Sequence, residues 1–299
     1  MLRGGVLVLA VWAAALAGAA TASASEIIDR NATGVRLEVN AQGQALVTYR
    51  ARGRQWHVLA WGAVNARPPD ARARQVRFRK DYSGGWGAFR KPVWKSFVNA
   101  CSAYDGPQLR WYTHGCEAPD GSYWTLQSWQ RMLPNYGLIP NAKQSVWELR
   151  LSHWTGDLPT LAIKQDWAYR RYDHLYGTYA YLGHPIFGFR VTRTGVPLDT
   201  HGRNLYLDTY NSAYGRGWKR ENSFLTQNPR GNFCYGFYPH GNRPSGKGER
   251  YRATIIGPGV TPDVYWEASA PGTYSRELDL VANEEQRTIA GDSKYCRPN

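Results

Sequence analysis

Between Arg67 and Lys95, nine cations (Arg67, Arg72, Arg74, Arg77, Arg79, Lys80, Arg90, Lys91, Lys95) meet only two acids, Asp70 and Asp81. Tyr82, Trp86, Phe89 and Trp94 are interleaved with them. Positive charge attracts an anionic polymer over a distance, and flat rings stack on sugar faces or hold cations once it has arrived. A second segment of the same kind runs from Tyr210 to Arg252. Tyr214, Arg216, Trp218, Lys219 and Arg220 are its densest part, and Gly215, Gly217, Gly231, Gly236 and Gly241 separate the larger side chains. Glycine-rich aromatic loops on a β scaffold are a common way to build a binding site. Arg77, Arg79, Lys80, Trp86 and Trp94 from the first segment, and Tyr214, Arg216, Trp218, Lys219 and Arg220 from the second, are the candidate binding residues. Single-stranded nucleic acid would use the same ingredients and is the lesser expectation.

Glycan hydrolysis would need two carboxyls facing each other across an aromatic cleft. Glu148, Asp166 and Glu267 each stand beside a tryptophan, and Asp208 lies between Leu207 and Thr209, two residues from Tyr206 and Tyr210. Strand alternation puts Asp208 on one face with Tyr206 and Tyr210, and Glu221 follows in the glycine-rich stretch. Asp208 and Glu221 are therefore the candidate acid and base if the protein is an enzyme, which the sequence does not require. Thr113-His114-Gly115-Cys116 resembles the core of L,D-transpeptidases, exported enzymes with a cysteine nucleophile. The chain departs from that family at Glu117-Ala118 and has no second histidine between His57 and His114. Gly-x-Ser-x-Gly, His-Glu-x-x-His and phosphate-loop motifs are absent from the sequence,. No Cys-x-x-Cys or Cys/His ligand spacing occurs, so neither a metal nor a cofactor is expected,.

Positioning these side chains falls to short strands. Val35–Val39, Ala45–Tyr49 and Gln55–Trp61 alternate apolar and polar residues, with turn residues at Asn40–Gly43 and Arg52-Gly53. That pattern predicts a β-meander. Further strands are expected at Arg77–Arg79, Ser145–Leu151, Leu161–Tyr169, Phe187–Thr192, Leu205–Tyr210, Tyr251–Ile256, Val264–Ala268 and Glu277–Val281. Helix is expected only as a turn or two, at Ser128–Leu133 and Asn283–Thr288. The fold class is all-β, antiparallel and β-sandwich-like, with long Gly/aromatic-rich loops. Residues 135–143 read as a linker, giving β domains at 25–135 and 144–299; the alternative is one β domain over 25–299.

The first 24 residues read as a signal peptide. Arg3 is followed by an apolar run from Val6 to Ala20, and Ala22-Ser23-Ala24 forms a cleavage site, so the mature chain is expected to begin at Ser25,. An uncleaved anchor is the alternative. No later stretch is apolar for long enough to span a membrane as a helix. The chain carries a formal charge of +14, with 37 Lys and Arg against 23 Asp and Glu. Four cysteines in an exported chain predict two disulfides, for which Cys101–Cys116 and Cys234–Cys296 are the preferred pairs,. Together these features point to a secreted, cell-wall-associated protein that binds an anionic or amphiphilic polysaccharide or cell-wall polymer through basic-aromatic loops. A glycan-active hydrolase on the same scaffold and a secreted protein-interaction module without catalysis are the alternatives.

Overall fold

The structure, a computed structural model, describes residues 25–67, 75–132, 145–168, 172–185, 190–191, 197–198, 205–212, 215–220, 226–227, 232–237 and 248–290. The expected signal peptide, Tyr214, Glu221 and Cys296 lie outside these residues. Strand β1 (Glu26–Arg30) precedes a meander of β2 (Thr33–Val39), β3 (Ala45–Ala51), β4 (Arg54–Trp61) and β5 (Arg79–Asp81), antiparallel in the order β2-β3-β4-β5. The β3–β4 turn is the two-residue Arg52-Gly53, with φ of 52° and 74°. Two positive φ values in succession match the twist of the flanking strands. The β2–β3 turn closes on Asn40, whose Oδ1 accepts the amides of Gln42 and Gln44.

After a short helix α1 (Trp86–Phe89) come β6 (Ser102–Ala103), β7 (Tyr112–Glu117), β8 (Tyr123–Met132) and β9 (Ser145–Trp154). They form a second antiparallel sheet with β1, in the order β1-β9-β8-β7-β6. The alternation of the meander decides which side is buried. Val39, Ala45, Val47, Tyr49, Val58 and Ala60 meet Ile28, Cys116, Trp124, Leu126, Leu149 and Leu151 of the second sheet in one apolar cluster. The helical turn expected at Ser128–Leu133 is replaced over Ser128–Met132 by strand: β8 runs through Met132, paired residue by residue with β9 from Tyr123↔Trp154 to Met132↔Ser145. Partnering along ten residues, with Trp124 and Leu126 fully buried, overrides a weak local preference,. β9 follows the linker-like stretch 135–143, yet it shares a sheet with the strand that precedes that stretch.

The rest of the described chain adds β10 (Thr160–Ala168), β11 (Tyr172–Tyr181), the short pairs β12 (His184–Pro185), β13 (Arg190–Val191) and β14 (Pro197–Leu198), then β15 (Leu205–Ser212), β16 (Gly215–Arg220), β17 (Thr226–Gln227), β18 (Asn232–Phe237), β19 (Arg250–Ile255) and β20 (Val264–Ser269). Two antiparallel sheets result, β10-β11-β18-β17 and β16-β15-β19-β20. Ile163, Leu175, Tyr179 and Tyr181 of the first meet Leu207, Tyr251, Ala253 and Ile255 of the second. Helix α2 (Arg276–Ala290) packs on β10, β11 and β18. It replaces the strand expected at Glu277–Val281 and is longer than the turn or two expected at Asn283–Thr288. Ser275 caps it by accepting the Leu278 amide at 3.3 Å, and Glu277 and Asp279 in the first turn complement the helix dipole,. Trp129, Tyr206 and Ile256, with Trp111 against them, join β8 to β15 and the end of β19. The protein is thus β-rich, built from several antiparallel sheets.

Candidate functional site

The face of the meander turned away from the apolar cluster it shares with the second sheet buries Leu46 and Leu59 and carries polar residues beyond them. In register across β2, β3 and β4, Arg36 faces Thr48, Thr48 faces His57 and Arg50 faces Gln55. Arg36, Thr48, Arg50 and Gln55, with Thr33 and His114 of β7, line an open cavity of about 500 Å3. Among the described residues neither Arg36 nor Arg50 has an acidic partner within ion-pair distance. Burial lowers the pKa of His114, and the Arg36 charge beside it lowers it further. The imidazole is neutral at pH 7, so it offers one donor and one acceptor and no repulsion toward a cation. The cavity holds two uncompensated guanidiniums, two threonines, an amide and an imidazole, which suits the carboxylate, sulfate or phosphate of a polyhydroxylated ligand.

An aromatic wall adjoins the cavity on the same face. Trp94 lies flat on His57, with centroids 4.4 Å apart and planes 3° apart, and the Lys95 ammonium sits 5.4 Å from the Trp94 ring. The stack depends on the turn at Gly84-Gly85. Both glycines have positive φ, and a Cβ on Gly84 would come within 2.6 Å of Trp94 Cδ1. His57 is held on both sides of its ring, with Gln55 Nε2 3.2 Å from Nε2 and Thr48 Oγ1 3.0 Å from Nδ1. Asp81 holds the following loop by accepting the Ala88 amide and both the amide and hydroxyl of Ser83.

Of the residues singled out from the first basic segment, Arg77 and Arg79 are exposed and flank buried Phe78. Trp86 is 64% exposed on α1. Trp94 belongs to the wall. Lys80 points the other way, since its ammonium pairs with Glu26 of β1 beneath Tyr82. The cavity residues Arg36, Arg50, Gln55 and His114 were not among the sequence candidates. The signal was the meander's own alternation, read for its apolar side alone.

The described residues of the second segment around Trp218 lie on neighbouring strands β16, β15 and β19. Arg252 lies 4.4 Å from the Trp218 ring and 5.4 Å from Trp111, and Arg250 lies 5.7 Å from Trp218. Tyr210 packs beside Trp218 at 5.3 Å. Asp208 does not face a cleft as an acid awaiting a proton. It is 4% exposed and receives Arg252 Nε at 3.1 Å and Nη2 at 2.8 Å. Arg250 is paired with Glu267. Arg216 is exposed, Lys219 stands opposite Thr209, and Arg220 stands opposite Asp208 in register. Tyr214 and Glu221 lie outside the described residues, so the Asp208/Glu221 pair is not seen together.

Cys101 and Cys116 form the expected disulfide, which leaves Cys116 no thiol for transpeptidase chemistry and leaves His114 as a lining group of the cavity. The pairing of Cys234 with Cys296 lies outside the described residues. A serine–histidine contact does exist elsewhere: Ser122 Oγ is 2.7 Å from His153 Nε2, and His153 Nδ1 is 2.5 Å from the Ala63 carbonyl. His153 is stacked under Trp124 at 3.8 Å, and burial pushes its pKa down to about 4. Ser122 is only 1% exposed, so the pair ties strands together rather than meeting substrate.

Among the described residues no group of three or more His, Cys, Asp or Glu side chains is arranged to hold a metal ion. Nor is any described helix long and apolar enough to cross a membrane. Comparison with protein-family models, with characterised proteins and with solved structures finds no match to this chain.

Proposed function

We propose that the protein is exported and binds an anionic polysaccharide or cell-wall polymer on the outward face of the β2–β4 meander. The two pairs of sheets are read here as two sandwich-like halves, with β9 completing the first. One observation carries the binding reading: Arg36 and Arg50 share an open cavity with no acid paired to either among the described residues, beside the flat Trp94–His57 wall. Two exposed guanidiniums on one cavity draw an anion toward it and can grip it by charge-assisted, bidentate bonds,. Arg79 and the Trp61–Phe89 contact extend the same face beyond the cavity. The group around Trp218 supplies a second stacking surface.

The test is co-sedimentation of the mature protein with insoluble anionic wall polymer over a salt series, with neutral cellulose and chitin alongside. Binding to the anionic polymer that is lost by about 0.5 M salt supports the reading. Equal binding to cellulose and chitin moves the ligand to a neutral glycan held by stacking. Preference for single-stranded nucleic acid over polysaccharide at matched salt, or no polymer binding at all, overturns it. Hydrolysis has lost its best-placed acid, because Asp208 is held by Arg252.

A further inference from the structure

Ser25 is only 1% exposed. Its carbonyl accepts Arg150 Nη1 at 2.8 Å, and its hydroxyl donates to Asp263 Oδ1. Asp263 stands in the loop between β19 and β20, with no exposed side-chain surface. The rest of its shell is neutral: the Trp129 indole N–H on Oδ2 at 2.6 Å and the Gly257 amide on Oδ1 at 3.0 Å. The nearest cation, Arg150, comes no closer than 3.8 Å. Arg150 is already gripped by Glu148, through Nε at 3.1 Å and Nη2 at 2.7 Å.

The buried cluster therefore contains two carboxylates and one guanidinium. The surrounding groups do not correct this. Arg30, half exposed on β1, reaches Glu148 at 3.5 Å, Lys80 of β5 is paired with Glu26, and Tyr206 of β15 acts on Arg150. Burial raises the Asp263 carboxyl above its ordinary range even with Arg150 and three donors opposing it. Arg30 brings its charge to Glu148, so the positive charge that is missing is one of Asp263's own, which shares Arg150 at 3.8 Å.

The nitrogen of Ser25 is three bonds from the hydroxyl that already touches Asp263, and so within about 4 Å of that oxygen. We propose that Ser25, freed by cleavage of the Ala24–Ser25 bond, supplies the missing charge, its α-ammonium being captured by the buried Asp263 carboxylate. The inference rests on export with cleavage after Ala24. An exogenous signal peptidase hydrolyses the bond with one water. The hydroxyl stays on the Ala24 carbonyl, and the Ser25 nitrogen gains a hydrogen and then a proton from solvent. In the precursor the same nitrogen is a neutral amide with a single N–H. Processing thus gives Asp263 a cation it does not share with Glu148, in a cluster that ties β1, β8, β9 and the β19–β20 loop together.

Four chains test this: the mature protein beginning at Ser25, the same protein with one extra alanine in front, and each of the two with Asp263→Asn. Folded-to-unfolded ratios are read from urea curves between pH 6 and 10. The authentic start should exceed the extended one by about tenfold at pH 7, as a charge-assisted pair warrants. An α-amino group in an unfolded chain titrates near 7.7–8.0. Its folded value is raised by Asp263, so the advantage is full below about pH 7.7 and fades as pH climbs through the folded value. Asp263→Asn should erase the difference between the two starts. Acylation of the native chain by an N-hydroxysuccinimide ester gives a readout that needs no folded Asp263→Asn variant, because the captured Ser25 amine should react far more slowly than in urea. Mass mapping of the exported protein's N-terminus separates the two ideas. A start elsewhere than Ser25 removes the processing step, whereas a Ser25 start with a freely acylated amine and equal stability of the two chains refutes capture alone.

Discussion

Gly84→Ala should dismantle the aromatic wall without touching a single functional side chain. Gly84 has φ +66°, where an alanine Cβ is strained by about 1–2 kcal/mol,. The new carbon would also lie 2.6 Å from Trp94 Cδ1 and 3.0 Å from His57 Cβ. His57 is fixed on β4 and its carbonyl is 3.2 Å away, so Trp94 and its loop must move. Losing a flat stack costs a further 0.5–1.5 kcal/mol or so. The expected destabilisation is therefore about 2–3 kcal/mol, measured as a urea midpoint shift followed by tryptophan fluorescence. Affinity for the anionic polymer should fall about tenfold, equivalent to roughly 1.4 kcal/mol. Trp94→Ala provides the comparison, because it removes the ring and leaves the turn alone. It should match the binding loss, at a stability cost of about 2–4 kcal/mol from the lost stack and the apolar area the ring covers,. Wild-type affinity in both variants would refute the role given to the wall, and an unchanged urea midpoint for Gly84→Ala would refute the steric argument.

Arg36→Ala and Arg50→Ala should each weaken polymer binding several-fold at low salt and flatten its salt dependence, with stability within about 0.5 kcal/mol of the parent because both side chains lie at a surface cavity; co-sedimentation over a salt series checks this. His153 is buried neutral with a pKa near 4, whereas an unfolded histidine titrates near 6.5,. The unfolded state therefore binds the proton first, and stability that is intact above pH 6.5 should be lost as pH falls toward 4, by about 3 kcal/mol in all. Urea midpoints at pH 7, 5.5 and 4.5 measure it, and His153→Phe should remove that slope. Asp208→Asn should cost about 3 kcal/mol by leaving Arg252, largely buried, without its counter-charge,. A hydrolase reading instead requires intact stability and lost release of reducing ends.

The meander was readable because two faces of opposite character and two glycine turns fall at strand spacing. What could not be read was which side the second sheet would cover. Arg36, Arg50 and His57 belong to the pattern as plainly as Val39 and Val47 do, but only the packing of Trp124 and Leu126 against the latter makes the former an outward site. The Trp94–His57 stack joins residues 37 positions apart through a turn whose geometry rests on Gly84 and Gly85. Asp208 looked catalytic because strand alternation sets it on one face with Tyr206 and Tyr210, and its ion-pair partner, Arg252, arrives from a strand 44 residues later. Helix α2 was obscured for a different reason. Its buried side includes the polar Asp279, Asn283 and Gln286, while Leu278, Leu280 and Val281 are exposed, so the apolar period that usually betrays a helix is inverted,.

The charge of the chain takes on a different meaning once its partners are assigned. Arg52 grips Asp29 with two bonds of 2.5 and 2.6 Å, Lys80 holds Glu26, Arg150 holds Glu148, Arg250 holds Glu267 and Arg252 holds Asp208. Acids that a surface would ordinarily use to balance its arginines are thus committed to ion pairs, several of them buried. Those pairs leave the net charge unchanged but fix where its excess can appear, namely on cations such as Arg36, Arg50, Arg77 and Arg79. A polymer approaching the protein therefore meets cations on the meander side that are neither neutralised nor buried. The salt dependence of binding should report cations of this kind rather than those held in the ion pairs. Replacing Lys80, which the sequence alone ranked with Arg77 and Arg79, should cost stability through unpaired Glu26 while leaving the salt slope of binding unchanged,.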